Sequence, residues 1–542
     1  MTGRVVVFGI DGGTWSILRP LMERGLMPNL AGLVREGASF DLQSTMPPIT
    51  PPAWTTFQTG VGPGRHGVYD FSRPTPGSYG SEFLNSAQIL APTIWQMVSR
   101  AGGRVIALNV PVTYPPYPVN GVMVTGLETP GLDAGFTYPG ELGDELRKAV
   151  PDYRITTTLA VFNFGGLTAL TARLKQMIEA RVRAMEFLLD RQPWDLAMVH
   201  FQAPDVLQHA VYPHLDPSCP GHNPRLFGKA VEVYRVLDAG LGRLRALVAG
   251  PGTLTVVMSD HGFRRVERSF YLNEWLAQEG LLGRKRSSPA RSLFRAATVK
   301  LRQWDRLNVA TLVGRRARDQ IRRKLTVDVL VDWGLTRAHA SGWWAGFVYA
   351  NVRGRGERGV VDPEAAGELL ARIRDSLTTL ETADGRQVVR RVYPRTEVFQ
   401  GSEAGVAPDL LVEPAPGFEI NKTLSGHLYR THLLRRDPLG THDPRGILVL
   451  AGAGVRSGPG ELAPAMVDVP FTVLHYLGLP VPDHLEGRFI AEAFDDTWLR
   501  GHPISRAPYP ELGGPWASSK IAVYSARDEE RIGRRLEDLG YM

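Results

Sequence analysis

Five short apolar runs, Val5–Ile10, Val105–Val110, Asp195–Phe201, Leu254–Ser259 and Ile447–Leu450, alternate along the chain with stretches of helical periodicity. Runs of this length, apolar on both faces, fit strands of a sheet that helices cover on each side. Three of them lead into acidic residues: Ile10 into Asp11, Phe201 by a short loop into Asp205, and Ser259 into Asp260-His261. In open α/β sheets, ligands bind outside the carboxyl ends of the strands, so these acids are expected at one crevice. The expected fold class is α/β.

Between the first two strands, helices are predicted at Ser16–Arg24 and Asn29–Glu36, the second apolar at Leu30, Leu33 and Val34. After Asp260 the texture changes. An amphipathic helix at Leu272–Leu282, an Arg-rich stretch, a strand at Ala345–Val352 and a helix at Pro363–Leu377 read as an insertion or cap. The expected organisation is a catalytic core in two parts, 1–264 and 401–495, with the cap at 265–400. Residues 496–542 read as a Pro- and Gly-rich linker followed by a charged helix near Ala526–Leu539, which is expected to pack or to lie solvated rather than to carry chemistry.

At 542 residues, 43% hydrophobic and 22% charged, the chain can bury a large core. One cysteine, Cys219, excludes an internal disulfide and a thiolate zinc knuckle, and its Pro-flanked setting suggests a bystander. No apolar run is long enough for a membrane-spanning helix, and the first ten residues read as a strand rather than a leader, so cytoplasmic residence is the default expectation. The formal charge of +7 is concentrated: residues 284–324 hold fourteen Lys or Arg against Asp305 and Asp319, which leaves the rest of the chain net negative. That segment is expected to cap the crevice and draw in an anionic substrate, or to contact an anionic membrane. It has little aromatic interleaving and no nucleic-acid motif.

Asp205 and His209 stand four apart, so a helical turn points both at one place, and His442 precedes the strand Ile447–Leu450 in Gly440-Thr441-His442-Asp443. With Asp11, Asp260 and His261 they make six oxygen and nitrogen ligands, enough for two divalent ions such as zinc or manganese. Thr50 stands ahead of Pro51-Pro52 and a helix closing at Gly60, and reads as its N-cap, placed where phosphate oxygens bind. With no basic residue beside it, Thr50 needs metal coordination to become a nucleophile. Asn109 and Arg65 are candidate substrate contacts, and His66 is a further one. His200, inside a strand, and His427 and His432, in loop-like segments, are left unassigned, although the last two lie close enough in sequence to His442 to touch substrate.

The order Asp11, Thr50, Asp205-x-x-x-His209, Asp260-His261 and His442 resembles the alkaline phosphatase superfamily, and most closely its type I phosphodiesterase/nucleotide pyrophosphatase branch. Phe8–Trp15, Thr50–Trp54 through Thr59-Gly60, Gly64–Gly67, Ser259–Phe263, Gly440–His442 and Asp468–Thr472 carry the resemblance, which runs from about residue 4 to 490. It implies a three-layer α/β/α sandwich. It also implies that Asp11, Thr50, Asp260 and His261 hold one ion, that Asp205, His209 and His442 hold the other, and that a phospho-Thr50 intermediate forms with net retention at phosphorus. One departure is Ala53, where the resemblance leads one to expect an Asn that binds a phosphoryl oxygen; nucleotide specificity does not carry over with it.

The resulting expectation is a metal-dependent phosphodiesterase. A phosphomonoesterase, phosphonate hydrolase or mutase could use the same core, since substrate choice lives in the insertion. A reading of another class is a protein that binds membrane or nucleic acid through its basic segment and keeps a vestigial site, against which the intact ligand set argues.

Overall fold

The computed structural model describes residues 1–75, 77–285, 330–342, 346–432, 439–509 and 523–539. The basic segment from residue 286 to 324, the start of the strand expected at Ala345 and residues 510–520 of the expected linker lie outside the described residues.

Among the described residues, nine strands form the central sheet, in the order Gly458–Pro459, Ala38–Gln43, Arg445–Ala451, Thr253–Met258, Arg4–Ile10, Leu196–Phe201, Val105–Val110, Gly121–Thr125, Thr137–Tyr138. The strand Arg4–Ile10 is parallel to both of its neighbours. Its side chains alternate between two apolar clusters. Val6, Phe8 and Ile10 face the helices Trp15–Glu23, Pro28–Glu36, Ala160–Arg191, Ala203–Leu215 and Pro224–Val248. Val5 and Val7 face Thr50–Thr59, Ile94–Arg100 and Asp468–Tyr476. A strand with apolar groups on both faces needs a helical layer on each, and that is the α/β/α sandwich observed. Each such side chain, removed wholly from water, contributes about 1.5–3 kcal/mol. Asp238 adds a polar tie between helices, accepting from the backbone N–H of Asn29 and Leu30 at 3.0 and 2.8 Å.

The register puts the strand ends that carry the acids side by side: Ile10 pairs with Phe201, and Gly9 with Met258. Beyond Asp260-His261 the chain continues as Gly262–Tyr271, which runs antiparallel to Gly440–Asp443 with Phe263 opposite His442. That pairing brings His442 to the same edge of the sheet.

A separate apolar cluster runs from Phe270 to Ile420 and therefore past residue 400. It covers an antiparallel sheet ordered Ala338–Ser341, Phe347–Ala350, Leu410–Pro414, Val389–Pro394. The helix Pro363–Thr378 packs on it through Leu369, Ile373 and Leu377, spaced by four. The helix expected at Leu272–Leu282 ends at Gln278, because Gly280 takes φ 70° and the N–H groups of Leu281 and Leu282 turn back onto the Leu276 carbonyl. Among the described residues, no helix is long and apolar enough to cross a membrane.

The C-terminal helix Ala526–Asp538 docks on the core through Ile532 and Leu536, and Leu539 follows them into the same cluster. Arg535 donates to the carbonyls of Leu127 and Thr129 at 2.6 Å each. Between those two residues Glu128 is buried, and one of its oxygens accepts the Val112 N–H at 2.6 Å. Val112 is held at φ 59°, a costly conformation for a β-branched residue. Burial pushes the Glu128 carboxyl up from 4.5 to about 7. The folded chain thus keeps a proton that the unfolded chain has released, and this group's contribution to stability falls as pH rises from 4.5 to about 7. Glu128→Gln keeps an acceptor for Val112 and does not titrate. Measured by urea unfolding, its stability relative to the parent should rise by up to about 3 kcal/mol between pH 4 and pH 8. A pH-independent difference would show that Glu128 does not titrate in this range.

Candidate functional site

Six of the side chains singled out in the sequence meet at the sheet's carboxyl edge, all of them buried or nearly so. Asp11 follows its strand directly, and Asp205 and His209 lie one helical turn apart in Ala203–Leu215. Asp260-His261 follows the strand Thr253–Met258, and His442 lies in Gly440–Asp443. His209 Nε2 and His442 Nε2 each lie 3.4 Å from Asp205 Oδ1, and 3.2 Å from one another. His261 Nε2 lies 3.6 Å from Asp11 Oδ1 and 3.2 Å from Asp260 Oδ2. Two groups of three emerge, Asp205–His209–His442 and Asp11–Asp205–His261, with ligand atoms within 4.8 Å of one another in each. Asp205 is common to both.

The three imidazoles are set in the same way. His209 Nδ1 donates to the Gly440 carbonyl at 3.1 Å, His261 Nδ1 to the Gly262 carbonyl at 3.0 Å, and His442 Nδ1 to the Pro48 carbonyl at 3.1 Å. A carbonyl only accepts, so each Nδ1 carries the hydrogen and each Nε2 turns a lone pair inward. Asp11 Oδ1 and Asp260 Oδ2 are sealed from solvent without a hydrogen-bond partner. Among the described residues, neither of those two carboxylates pairs with a lysine or arginine. Inward lone pairs and orphaned carboxylate oxygens make a donor set that fits divalent cations.

The protonation equilibria express the same crowding. Burial, then Asp260 and Asp205, raise Asp11 well above the usual carboxylate range, and burial holds Asp260 up to about 8. Burial would raise Asp205 too, but His209 and His442 outweigh it and hold its carboxyl low. Burial lowers His261 and His442. It opposes charge on His209 as well, where Asp205 prevails and raises the pKa.

Thr50 is buried, and its Oγ1 lies 3.5 Å from His261 Nε2. It is the first residue of the helix Thr50–Thr59 rather than its N-cap; Ile49 takes the cap position and Gly60 closes the helix at φ 68°. The hydroxyl faces the cluster instead of capping its own helix. Pro51 and Pro52 have no N–H and Ala53 N–H is bonded to the Ile49 carbonyl, so the first turn offers an anion only the Thr50 N–H.

The other sequence candidates have other surroundings. Arg65 is spent at the surface, donating to the His484 carbonyl at 2.8 Å and pairing with Glu486 at 3.5 Å. His66 is buried, with Nε2 3.1 Å from Thr56 Oγ1 and Nδ1 accepting from the Val68 N–H, and burial lowers its pKa to about 3. Asn109 sits at φ 62° with its side-chain oxygen taken by the Tyr153 hydroxyl at 3.0 Å. His432 joins Ser269 and Glu419 instead, and His427 is exposed. Cys219 is held by Asp216, and burial pushes its thiol up to about 11.

Ala53, where the resemblance leads one to expect an Asn, is wholly buried and belongs to the apolar cluster with Trp54 and Phe57. Ala53→Asn should therefore destabilise by about 1–3 kcal/mol and lower the Tm; an unchanged Tm with higher activity would show that the position faces the ligand.

Sequence reasoning missed His200 and Arg181. His200 Nε2 lies 2.9 Å from Asp11 Oδ2, and buried Arg181 donates to the His200 carbonyl at 2.9 Å. The available signal was a lone histidine in a run otherwise apolar, Leu196–Phe201, beside the strand that ends in Asp11.

Comparison with known proteins agrees with the geometry. The family model described as type I phosphodiesterase / nucleotide pyrophosphatase matches residues 5–445. A search of curated proteins finds no match. Among solved structures, phosphonoacetate hydrolase from Sinorhizobium meliloti 1021, in complex with phosphonoformate, is similar at a TM-score of 0.54 and 16% identity, over 88% of this chain and 96% of that one. Murine ectonucleotide pyrophosphatase / phosphodiesterase 5, in complex with AMP, is similar at 0.52 and 14% identity, over 91% of this chain and 100% of that one. Both likenesses are of fold, the alkaline phosphatase-like sandwich that the sequence motifs implied. With the family model covering residues 5–445, well over half of the chain and every residue of the buried cluster, the chain belongs to the type I phosphodiesterase/nucleotide pyrophosphatase family, whose members hydrolyse phosphoric esters.

Proposed function

We propose that this chain is a phosphodiesterase that works through a phospho-Thr50 intermediate with two divalent ions, zinc or manganese. The supporting observation is the convergence of three Nε2 lone pairs and three carboxylates on a space that Thr50 Oγ1 borders, 3.5 Å from His261 Nε2. Asp11, Thr50, Asp260 and His261 would hold one ion, and Asp205, His209 and His442 the other. Bound there, the ions supply Lewis acidity that lowers the pKa of the Thr50 hydroxyl and offsets charge on the phosphoryl oxygens.

Thr50 Oγ1 attacks phosphorus and the ester oxygen leaves with the alcohol. Water then cleaves the Thr50–phosphorus bond, and two displacements give net retention. The Thr50 N–H is the backbone donor at hand for a phosphoryl oxygen, since the prolines that follow have none. The three backbone carbonyls behind the imidazoles keep those rings from turning as charge moves through the site. Asp205, assigned to the second ion, lies within ligand distance of Asp11 and His261 as well, so its carboxylate would also offset charge at the first site.

The test is hydrolysis of an aryl phosphodiester beside the corresponding monoester and phosphonoacetate. A diester kcat/KM at least about tenfold above the other two is expected. Monoester or phosphonoacetate preference would overturn the diester reading and leave the metal reading standing. Parallel salt-dependent binding to DNA and anionic vesicles tests the remaining partner classes for the basic segment 284–324.

A further inference from the structure

His200 occupies a position where its strand would ordinarily place an aliphatic residue. Leu196 and Met198, at the same alternation, belong to the apolar cluster under the sheet, and the ring itself is buried. A buried imidazole costs free energy unless it is hydrogen-bonded. Its side-chain partner is Asp11, at 2.9 Å from Nε2 to Oδ2. Once Asp11 is ionised, as a metal ligand must be, a nitrogen at this distance carries the hydrogen and His200 donates.

The ring has little freedom to do anything else. Trp54, one helical turn after Thr50, packs against it edge-to-face at 5.0 Å and 84°. Behind it, Arg181 Nη1 holds the His200 carbonyl at 2.9 Å, while Nη2 holds the carbonyls of Arg154 and Ile155 at 3.2 and 2.7 Å. The consequence falls on Asp11. One oxygen is occupied by His200, and the other, Oδ1, is buried without a hydrogen-bond partner, 3.6 Å from His261 Nε2. A carboxylate otherwise rotates about its last bond; this one is fixed with a chosen oxygen facing the cluster.

We propose that His200 is a positioning residue that selects Oδ1 of Asp11 for a divalent ion, with Trp54 linking the same ring to the helix that begins at Thr50. This rests on the reading of Asp11 as a metal ligand. Groups that orient a metal-binding carboxylate typically account for about ten- to hundredfold in affinity.

The experiment titrates the metal-stripped full-length chain with Zn²⁺ in competition with a chromophoric chelator. The parent should bind two ions. His200→Phe, which keeps the ring and its contact with Trp54 but removes the N–H, should bind one of them about ten- to hundredfold more weakly and the other as before. His200→Asn, too short to reach Oδ2, should show the same split. Either variant, folded by near-ultraviolet circular dichroism, that binds both ions within twofold of the parent overturns the proposal. If neither variant folds, ¹⁵N spectroscopy of the selectively labelled, zinc-loaded parent decides: an Nε2–H tautomer is expected, and an Nδ1–H tautomer overturns it. Asp11→Asn separates this inference from the reading beneath it. Loss of an ion there with none in the His200 variants removes only the role of His200, whereas two ions retained in Asp11→Asn remove the ligand assignment itself.

Discussion

Thr50→Ala should lower turnover of an aryl phosphodiester by at least about a thousandfold, as expected when the nucleophile of a covalent mechanism is lost and only binding and electrostatic stabilisation remain. Folding should survive, since the hydroxyl's contact with His261 Nε2 is long, at 3.5 Å, and a methyl fits where a β-branched side chain was. The variant should still bind zinc through Asp205, His209 and His442, to which Thr50 contributes nothing. Quenched-flow capture with a labelled substrate should find phosphate on the parent chain and none on the variant. Near-normal turnover in the variant would mean that water attacks phosphorus directly, and the phospho-Thr50 reading would fall while the ligand assignment stood.

Removing divalent metal should abolish activity and also soften the fold. Asp11 and Asp260 are buried, and their crowding, visible in their raised pKa values, is what a divalent ion would relieve. Activity should return on adding zinc or manganese. Binding that favours the folded chain at a hundred times its dissociation constant stabilises by about 2.7 kcal/mol per site, enough to shift the Tm measurably. Metal-free protein, verified by elemental analysis, that retains full activity would defeat the whole metal reading.

Much of this site was legible because each acid follows an apolar run directly or nearly so. A buried parallel strand announces itself by composition alone, and whatever comes next in the chain must lie at its carboxyl end. The i, i+4 spacing of Asp205 and His209 is likewise a local fact, true of any helical turn. What could not be read is what depends on pairing across long stretches of sequence. Arg445–Ala451 looks like any other strand, and nothing local says that it runs antiparallel between Ala38–Gln43 and Thr253–Met258. His200 and Arg181 owe their importance to neighbours in space, so a reading of residue types along the chain passed over both. Arg65 and Asn109 carry chemistry that suits an anion; in the fold Arg65 meets the His484 carbonyl and Glu486, and the Asn109 side-chain oxygen accepts from Tyr153.

The place of Ala38–Gln43 in the sheet also sets a timetable for synthesis. Both of its strand partners, Arg445–Ala451 and Gly458–Pro459, come from the far end of the chain. A ribosome adding about 5–20 residues per second reaches them on the order of 20–80 s later, about 400 residues on. Throughout that interval Ala38–Gln43, with Phe40 and Leu42, lacks its native strand partners, and so does the free side of Thr253–Met258 once it has been made. His442 arrives with the same late segment, so a nascent chain can have its full parallel sheet and Thr50 in place while still lacking one ligand. Chains arrested before residue 442 should be catalytically silent and prone to associate through those waiting edges, which makes late elongation the interval in which this protein depends most on chaperones.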